Sequence, residues 1–378
     1  MASRSWLSVG LALVLVSPIA MSAACSGSVS SKSGGKVAAP VLPPADPEAV
    51  RSFQAGLRAL KLGGPEAAER AIPRFRDAVA RDGQLWEAWH ALGVTYFTGG
   101  DDDAAIEAFS KAIAVNPAHA PSLFGRAEAY RRSDQPKEAR EDYQRALKQS
   151  PEDSSAYARA ASLLRETGDL EDALDILRES LRLTRATPEV YVELGLVYLA
   201  QGRDELAELV LSKAIALYDK NPSIHNAMAL VALARGRDQE AFNRFDHASS
   251  LDPTFLDARF NVASVLIDAG DYQRAQEQLQ VVVTKRPTDF GASVALGVAH
   301  RGLGNFDRAR AIWEDVVKGA PRRSAVRSNA LYNLAVLEMD FAMDEAKAKA
   351  ALDRYLQQAG GKHPKRAEAE ERRKELGQ

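Results

Sequence analysis

The sequence predicts an all-α array of repeated helix–turn–helix elements, and three periodic series predict it. Small residues recur every 34 positions, at Gly93, Ala127, Ala161, Gly195, Ala229, Ala263 and Gly297. Alanines keep the same step at Ala105, Ala139, Ala173, Ala207, Ala241, Ala275 and Ala309. Pro117, Pro151, Pro253, Pro287 and Pro321 each stand 24 residues after the small residue of their repeat. Self-similarity at one fixed period marks an architecture in which no repeat buries its apolar face alone and stacked neighbours bury it together. A chain of 378 residues is too long for one compact core, and a hydrophobic content of 46% with only 7% aromatic residues suits small-residue helical packing.

Residues 1–24 read as an export signal. Arg4 supplies a short positive region, Leu7 to Val16 an apolar run, and Pro18 to Ala24 a breaker followed by small residues. The apolar run is shorter than a membrane span needs. Cys25 is the only cysteine, which excludes an intramolecular disulfide and a thiolate-ligated zinc site. Ala23-Ala24-Cys25 followed by Ser26 resembles the lipobox of bacterial lipoproteins, in which the cysteine is acylated after export, although Ser22 stands where that family usually has Leu. The alternatives are plain cleavage near Ala24 and retention of the uncleaved segment. Ser26 to Pro47 is rich in Ser, Gly, Ala and Pro and has no helical or strand period, so 25–47 reads as the lipidated cysteine and a flexible tether. Such a tether spans roughly 25 Å on average and up to about 70 Å when drawn out.

The array occupies 48–361. Ala59, Ala71, Phe75 and Ala78 mark a degenerate first repeat over 48–83, with Gly63-Gly64-Pro65 in its turn. In the regular repeats, Gly or Ala removes bulk where the first helix crosses the second, and Tyr130, Tyr198, Phe245, Leu279 and Trp313 fill the space alongside. Gly195 and Ala229 are therefore expected at helix crossings. The five prolines stop second helices. Arg185 and Asp219 hold that place in two repeats, where Pro188 and Pro222 follow three residues later. Helix starts are expected at those two prolines, with the preceding second helices about a turn longer. The last repeat begins at Leu334-Ala335, 38 residues after Gly297 instead of 34. Residues 362–378 are almost wholly charged and read as a solvating cap or an interaction tail.

Trp89-x-x-Leu92-Gly93-x-x-Tyr96, followed by Ala105-x-x-x-Phe109, Ala112 and Pro117, resembles the complete tetratricopeptide repeat signature. The resemblance implies a right-handed superhelical solenoid of roughly 8–9 helix-turn-helix repeats, with a concave face built mainly from first helices that receives peptides or partner helices. Together with the export signal and Cys25, the chain resembles the envelope tetratricopeptide lipoproteins of Gram-negative bacteria. Those include type IV pilus pilotins, adaptors for peptidoglycan enzymes, and the repeat lipoprotein of myxobacterial gliding machinery. The resemblance implies a lipid-anchored scaffold in an envelope machine for pilus assembly or gliding motility, held on the outer membrane facing the periplasm. The other readings it allows are an adaptor positioning peptidoglycan synthases or hydrolases, and a soluble periplasmic protein.

A net charge of -2 and a pI near 6.4 give no global attraction to nucleic acid. His90, His119, His225, His247, His300 and His363 have no metal-ligand spacing, and the glycines sit at repeat turns and crossings instead of a phosphate loop. Hence no enzyme, metal, cofactor or small-molecule substrate is expected. The candidate partner-binding residues come from register, at first-helix positions three before, one after and four after the small residue. They are Val192, Leu196 and Leu199, then Asn226, Leu230 and Leu233, with Phe260, Ile267, Val294, Val298, Tyr332 and Val336 further on. This strip either receives an amphipathic helix or packs against the next repeat. Upstream, Arg126, Arg131, Arg132, Arg159 and Arg165 lie on two adjacent first helices. They either receive an acidic partner segment or pair with Glu128, Glu141 and Glu166. The family's clamp for C-terminal carboxylates uses Lys and Asn at inner positions that here hold His90, Val94, Phe124 and Glu128, so a chaperone-tail receptor is not expected.

Overall fold

The computed structural model describes residues 44–63, 66–183, 186–321, 324–341, 344–358 and 364–376. The export segment, Cys25, most of the tether, Gly64, Pro65, Arg185 and His363 lie outside the described residues. All regular structure among the described residues is α-helical, which agrees with the predicted class. These residues divide at 217/218 into two compact units. The first unit holds five helical hairpins: α1 (Pro47–Leu62) with α2 (Ala67–Arg81), α3 (Trp86–Gly99) with α4 (Asp102–Val115), α5 (Ala120–Arg132) with α6 (Pro136–Gln149), α7 (Ser154–Thr167) with α8 (Leu170–Leu183), and α9 (Pro188–Ala200) with α10 (Asp204–Leu217). The second unit holds α11 (Pro222–Ala234) with α12 (Asp238–Leu251), α13 (Leu256–Asp268) with α14 (Tyr272–Lys285), α15 (Phe290–Gly302) with α16 (Phe306–Gly319), α17 (Ala325–Asp340) with α18 (Glu345–Gln358), and a closing helix α19 (Arg366–Glu375). Among the described residues, no helix is long and apolar enough to cross a membrane.

Local chemistry sets the helix ends. Asp101, Asp153, Asp271 and Asp289 cap α4, α7, α14 and α15, each accepting a backbone N–H from three residues on at 2.9–3.2 Å. α9 and α11 start at Pro188 and Pro222 as expected, because proline lacks only an N–H that the first turn leaves unpaired. The expected lengthening of the preceding second helix is wrong for α10. It ends at Leu217 after 14 residues, the length of α12 and α14, and the added residues form a connector closed by the Asn221 cap on α11. The turn inside each regular hairpin requires a left-handed residue. Gly100, Gly168, Gly202, Gly236, Gly270 and Gly304 supply it, and at the equivalent place Asp134 adopts φ 58°.

The helix crossings explain the 34-residue series. A Cβ added to Gly93 would lie 2.5 Å from the Phe109 ring, and one on Gly195 2.7 Å from Leu211. Gly125 meets the same Phe109 at 2.4 Å, so one fully buried aromatic side chain is seated between two backbones of neighbouring hairpins. Ala229, at the same register in α11, is fully buried.

Candidate functional site

In the first unit, the inner positions of α3, α5, α7 and α9 carry a polar network. Arg131 on α5 donates to Glu128 at 3.0 Å and to Glu166 on α7 at 3.4 Å, while Glu128 also accepts from the buried Tyr143 hydroxyl at 2.5 Å. Arg165 on α7 donates to Glu193 on α9 at 3.0 Å and to Ser162 at 3.2 Å. Burial pushes the Glu193 carboxyl above its ordinary pKa, and the adjoining Arg165 pulls the other way. One carboxylate after another thus ties α5 to α7 and α7 to α9.

At the start of this network two imidazoles share one hydroxyl. His90 Nδ1 on α3 and His119 Nδ1 lie 3.0 and 2.7 Å from Ser122 Oγ, with the two rings edge to face at 4.8 Å and Trp86 4.3 Å from His119. Burial pushes the His90 pKa down to about 4, and burial reinforced by His90 pushes that of His119 down to about 3. Both values lie below the unfolded-state value of about 6.5, so folding favours the neutral rings. Their stabilising contribution is complete above about pH 6.5 and is lost as pH falls toward 4, because the unfolded chain binds protons first. Full loss at His90 alone corresponds to about 3 kcal/mol. Melting of the wild type and of His90→Gln between pH 7 and 4.5 should show the variant losing less stability on acidification. Parallel pH curves for the two proteins would remove the His pair as the cause.

In the second unit the inner positions are mostly apolar, with Arg301 on α15 and a buried amide pair in which Asn261 Nδ2 donates to Asn226 Oδ1 at 2.8 Å. At its far end α19 lies on the last hairpin. Ala369 is buried, Arg372 pairs with Asp340 at 3.1 Å and Arg373 with Asp353 at 2.6 Å, and Lys365 stands 5.7 Å from the ring centre of Tyr332.

This geometry, a run of hairpins with small residues at each crossing, agrees with the comparisons. The tetratricopeptide family model described as Cilia and flagella-associated protein 70 C-terminal domain matches residues 48–288, well over half of the chain. The chain belongs to that family. A second model, described as Tetratricopeptide repeat, matches residues 266–333. Among solved structures, a monomeric IFIT1 mutant with m7Gppp-AAAA is similar at 17% identity over 85% of this chain and 80% of that one, with a TM-score of 0.57. That likeness is one of fold. TTC0263, a thermophilic TPR protein of Thermus thermophilus, is 28% identical over 48% of this chain and all (100%) of its own, with a TM-score of 0.43. The pilF protein of Pseudomonas aeruginosa is 18% identical over 54% and 90%, with a TM-score of 0.46. No curated protein matches the sequence. Tetratricopeptide repeats mediate protein–protein interaction, and that is the class of function this chain has.

Against the family's groove, the sequence-derived residues divide. Leu196 and Leu230 are each 5% exposed, Asn226 1%, and Val192 and Tyr332 are buried as well. As accessible anchors these five are corrected: their side chains are interior packing, Asn226 through its amide pair and Tyr332 beneath Lys365. Leu199, Leu233 and Phe260 are half-buried and remain available at the surface. The arginines are also not one patch. Arg126 points to Asp142 and Ser110 on neighbouring second helices, and Arg132 to the Phe97 carbonyl at 2.7 Å and to Asp102. Arg131 and Arg165 are committed to glutamates, among them the expected Glu128 and Glu166, whereas Glu141 is exposed and outside the network. Arg159 is half-buried near Tyr143, whose hydroxyl burial and Glu128 push well above its ordinary pKa while Arg159 weakly opposes the shift.

Proposed function

We propose that the chain is a lipid-anchored scaffold that holds protein partners in a bacterial cell-envelope machine, in pilus assembly or gliding motility. The observation that carries the reading is positional. The only cysteine, Cys25, follows an export-type segment at the place acylation uses, and a Ser/Gly/Pro-rich stretch separates it from the repeats. One acyl chain gives only reversible membrane binding, so a lipoprotein-type anchor requires more than one. The family match begins at residue 48 and concerns the array alone. Location and anchoring therefore rest on residues 1–47. Half-buried Leu199 in the first unit, and Leu233 and Phe260 in the second, each support contact of their own unit with an apolar partner side chain.

The test is expression in a Gram-negative host with an alkyne fatty acid. The wild type should partition with membranes and take the label, and Cys25→Ser should lose both. A wild type that sediments with membranes yet takes no label would refute lipid anchoring and leave attachment through a protein partner.

A further inference from the structure

Three arginines occupy the same register, four residues after the small residue of a first helix: Arg131, Arg165 and Arg301. The first two are held by glutamates, Arg131 by Glu128 and Glu166, Arg165 by Glu193. At the places in the second unit corresponding to Glu128, Glu193 and Glu166 stand Val298, Asn333 and Asp340. Asp340, the one carboxylate of the three, is taken by Arg372 of α19 at 3.1 Å. The Arg301 guanidinium therefore makes neither an ion pair nor a hydrogen bond among the described residues. Its guanidinium stands 5.7 Å from the Phe341 ring centre and 5.9 Å from that of Trp313, half-buried against the two aromatic rings. Burial holds its pKa below the ordinary value, with Tyr272, Asp340 and Tyr332 opposing that shift only through space. A guanidinium remains charged at every physiological pH, so this side chain is a partly desolvated cation with no carboxylate in contact among the described residues.

We propose that Arg301 is a recognition point for a peptide carboxylate of the partner, seated against Phe341, and that α19 keeps it open by holding Asp340 away. The occupant follows from the fold's own chemistry: at the two equivalent places in the first unit, the arginine is satisfied by a carboxylate. A planar guanidinium receives a carboxylate through two parallel N–H donors, and aromatic walls strengthen that attraction by excluding water. The site differs from the family's carboxylate clamp, whose positions three before and one after the small residue hold Val294 and Val298 in this repeat. The inference rests on the partner-binding reading and specifies its chemistry.

Fluorescence anisotropy of the full chain with three labelled peptides of one amphipathic sequence tests it. One carries an internal glutamate and an amidated end, one glutamine and a free C-terminal carboxylate, and one glutamine and an amidated end. Binding by one or both carboxylate peptides and not by the third supports the site and tells side-chain from C-terminal recognition. Arg301→Gln should weaken that binding roughly tenfold and Arg301→Lys less. Asp340→Asn should strengthen it and Arg372→Ala weaken it, since a released Asp340 neutralises Arg301. A purely structural arginine would not give this opposed pair. Equal affinity of all three peptides, or of the wild type and a normally melting Arg301→Gln, overturns the inference. In-cell crosslinking of the same proteins keeps the two readings apart. If partners crosslink equally to the wild type and Arg301→Gln, the site falls and the scaffold stands. If carboxylate peptides bind through Arg301 while nothing crosslinks to the wild type, the scaffold falls and the site stands.

Discussion

Trp313→Ala should cost the second unit about 3–5 kcal/mol, and Gly297→Ala should cost about 1–3 kcal/mol for the opposite reason. Trp313 is fully buried, and its Nε1 donates to the Val294 carbonyl at 3.0 Å. A Cβ at position 297 would lie 2.2 Å from that nitrogen, inside any permissible contact. Methyl and indole thus compete for one volume at the crossing of α15 and α16. Removing the indole leaves a cavity, and adding the methyl pushes the indole off its hydrogen bond. The two costs cannot be independent. In the Trp313→Ala background, Gly297→Ala should become nearly neutral, with a coupling energy on the order of 1–3 kcal/mol. Urea unfolding followed by circular dichroism measures all four corners of the cycle. Stacked hairpins lose cooperativity readily, so the second transition should move while that of the first unit stays. Additive effects within about 0.5 kcal/mol would mean that the two positions do not share the space.

The same crossing shows why so much of the fold was legible. A Cβ at Gly93, Gly195 or Gly297 would lie 2.2–2.7 Å from Phe109, Leu211 or Trp313, so no large residue fits at the crossing, and Gly or Ala recurs there every 34 positions. The left-handed turn residue is a fourth series in the same register, running from Gly100 to Gly304. Only Asp134 interrupts it, and asparagine and aspartate are among the few side chains that tolerate that conformation. The candidate site was less legible. Register places Leu196 and Leu230 on the inner wall, but whether a wall position is open depends on how closely its neighbours approach, and the period carries no information on that. Partners remote in sequence were equally hidden. Asn226 meets Asn261 35 residues on, and Arg165 meets Glu193 at a separation of 28. Reading the +4 positions together, with the residues at Glu128, Glu166 and Glu193 as the comparison, would have singled out Arg301 from sequence.

Arg126→Ala is the second substitution with a large expected effect, about 3 kcal/mol or somewhat more. Its guanidinium donates through Nε and Nη2 to both oxygens of Asp142 at 2.6 and 2.8 Å, and through Nη1 to Ser110 at 2.9 Å. The Asp142 side chain is 4% exposed and that of Arg126 15%, so removal of the arginine strands a carboxylate that solvent barely reaches. Arg145, at 3.2 Å and nearly half exposed, compensates only in part. The size of the loss reflects the stranded charge more than the worth of the pair. Replacing both members, as Arg126→Met with Asp142→Leu, should therefore restore most of the stability, because two desolvation penalties disappear along with the attraction between the charges. The exposed pair Arg182–Glu179 on α8 is the control: water already screens it, and Arg182→Ala should leave the melt unchanged. Denaturation that finds Arg126→Ala as stable as the Arg182→Ala control would refute the buried-pair account. A double variant less stable than Arg126→Ala alone would show that the ion pair itself, not the unpaired aspartate, sets the cost.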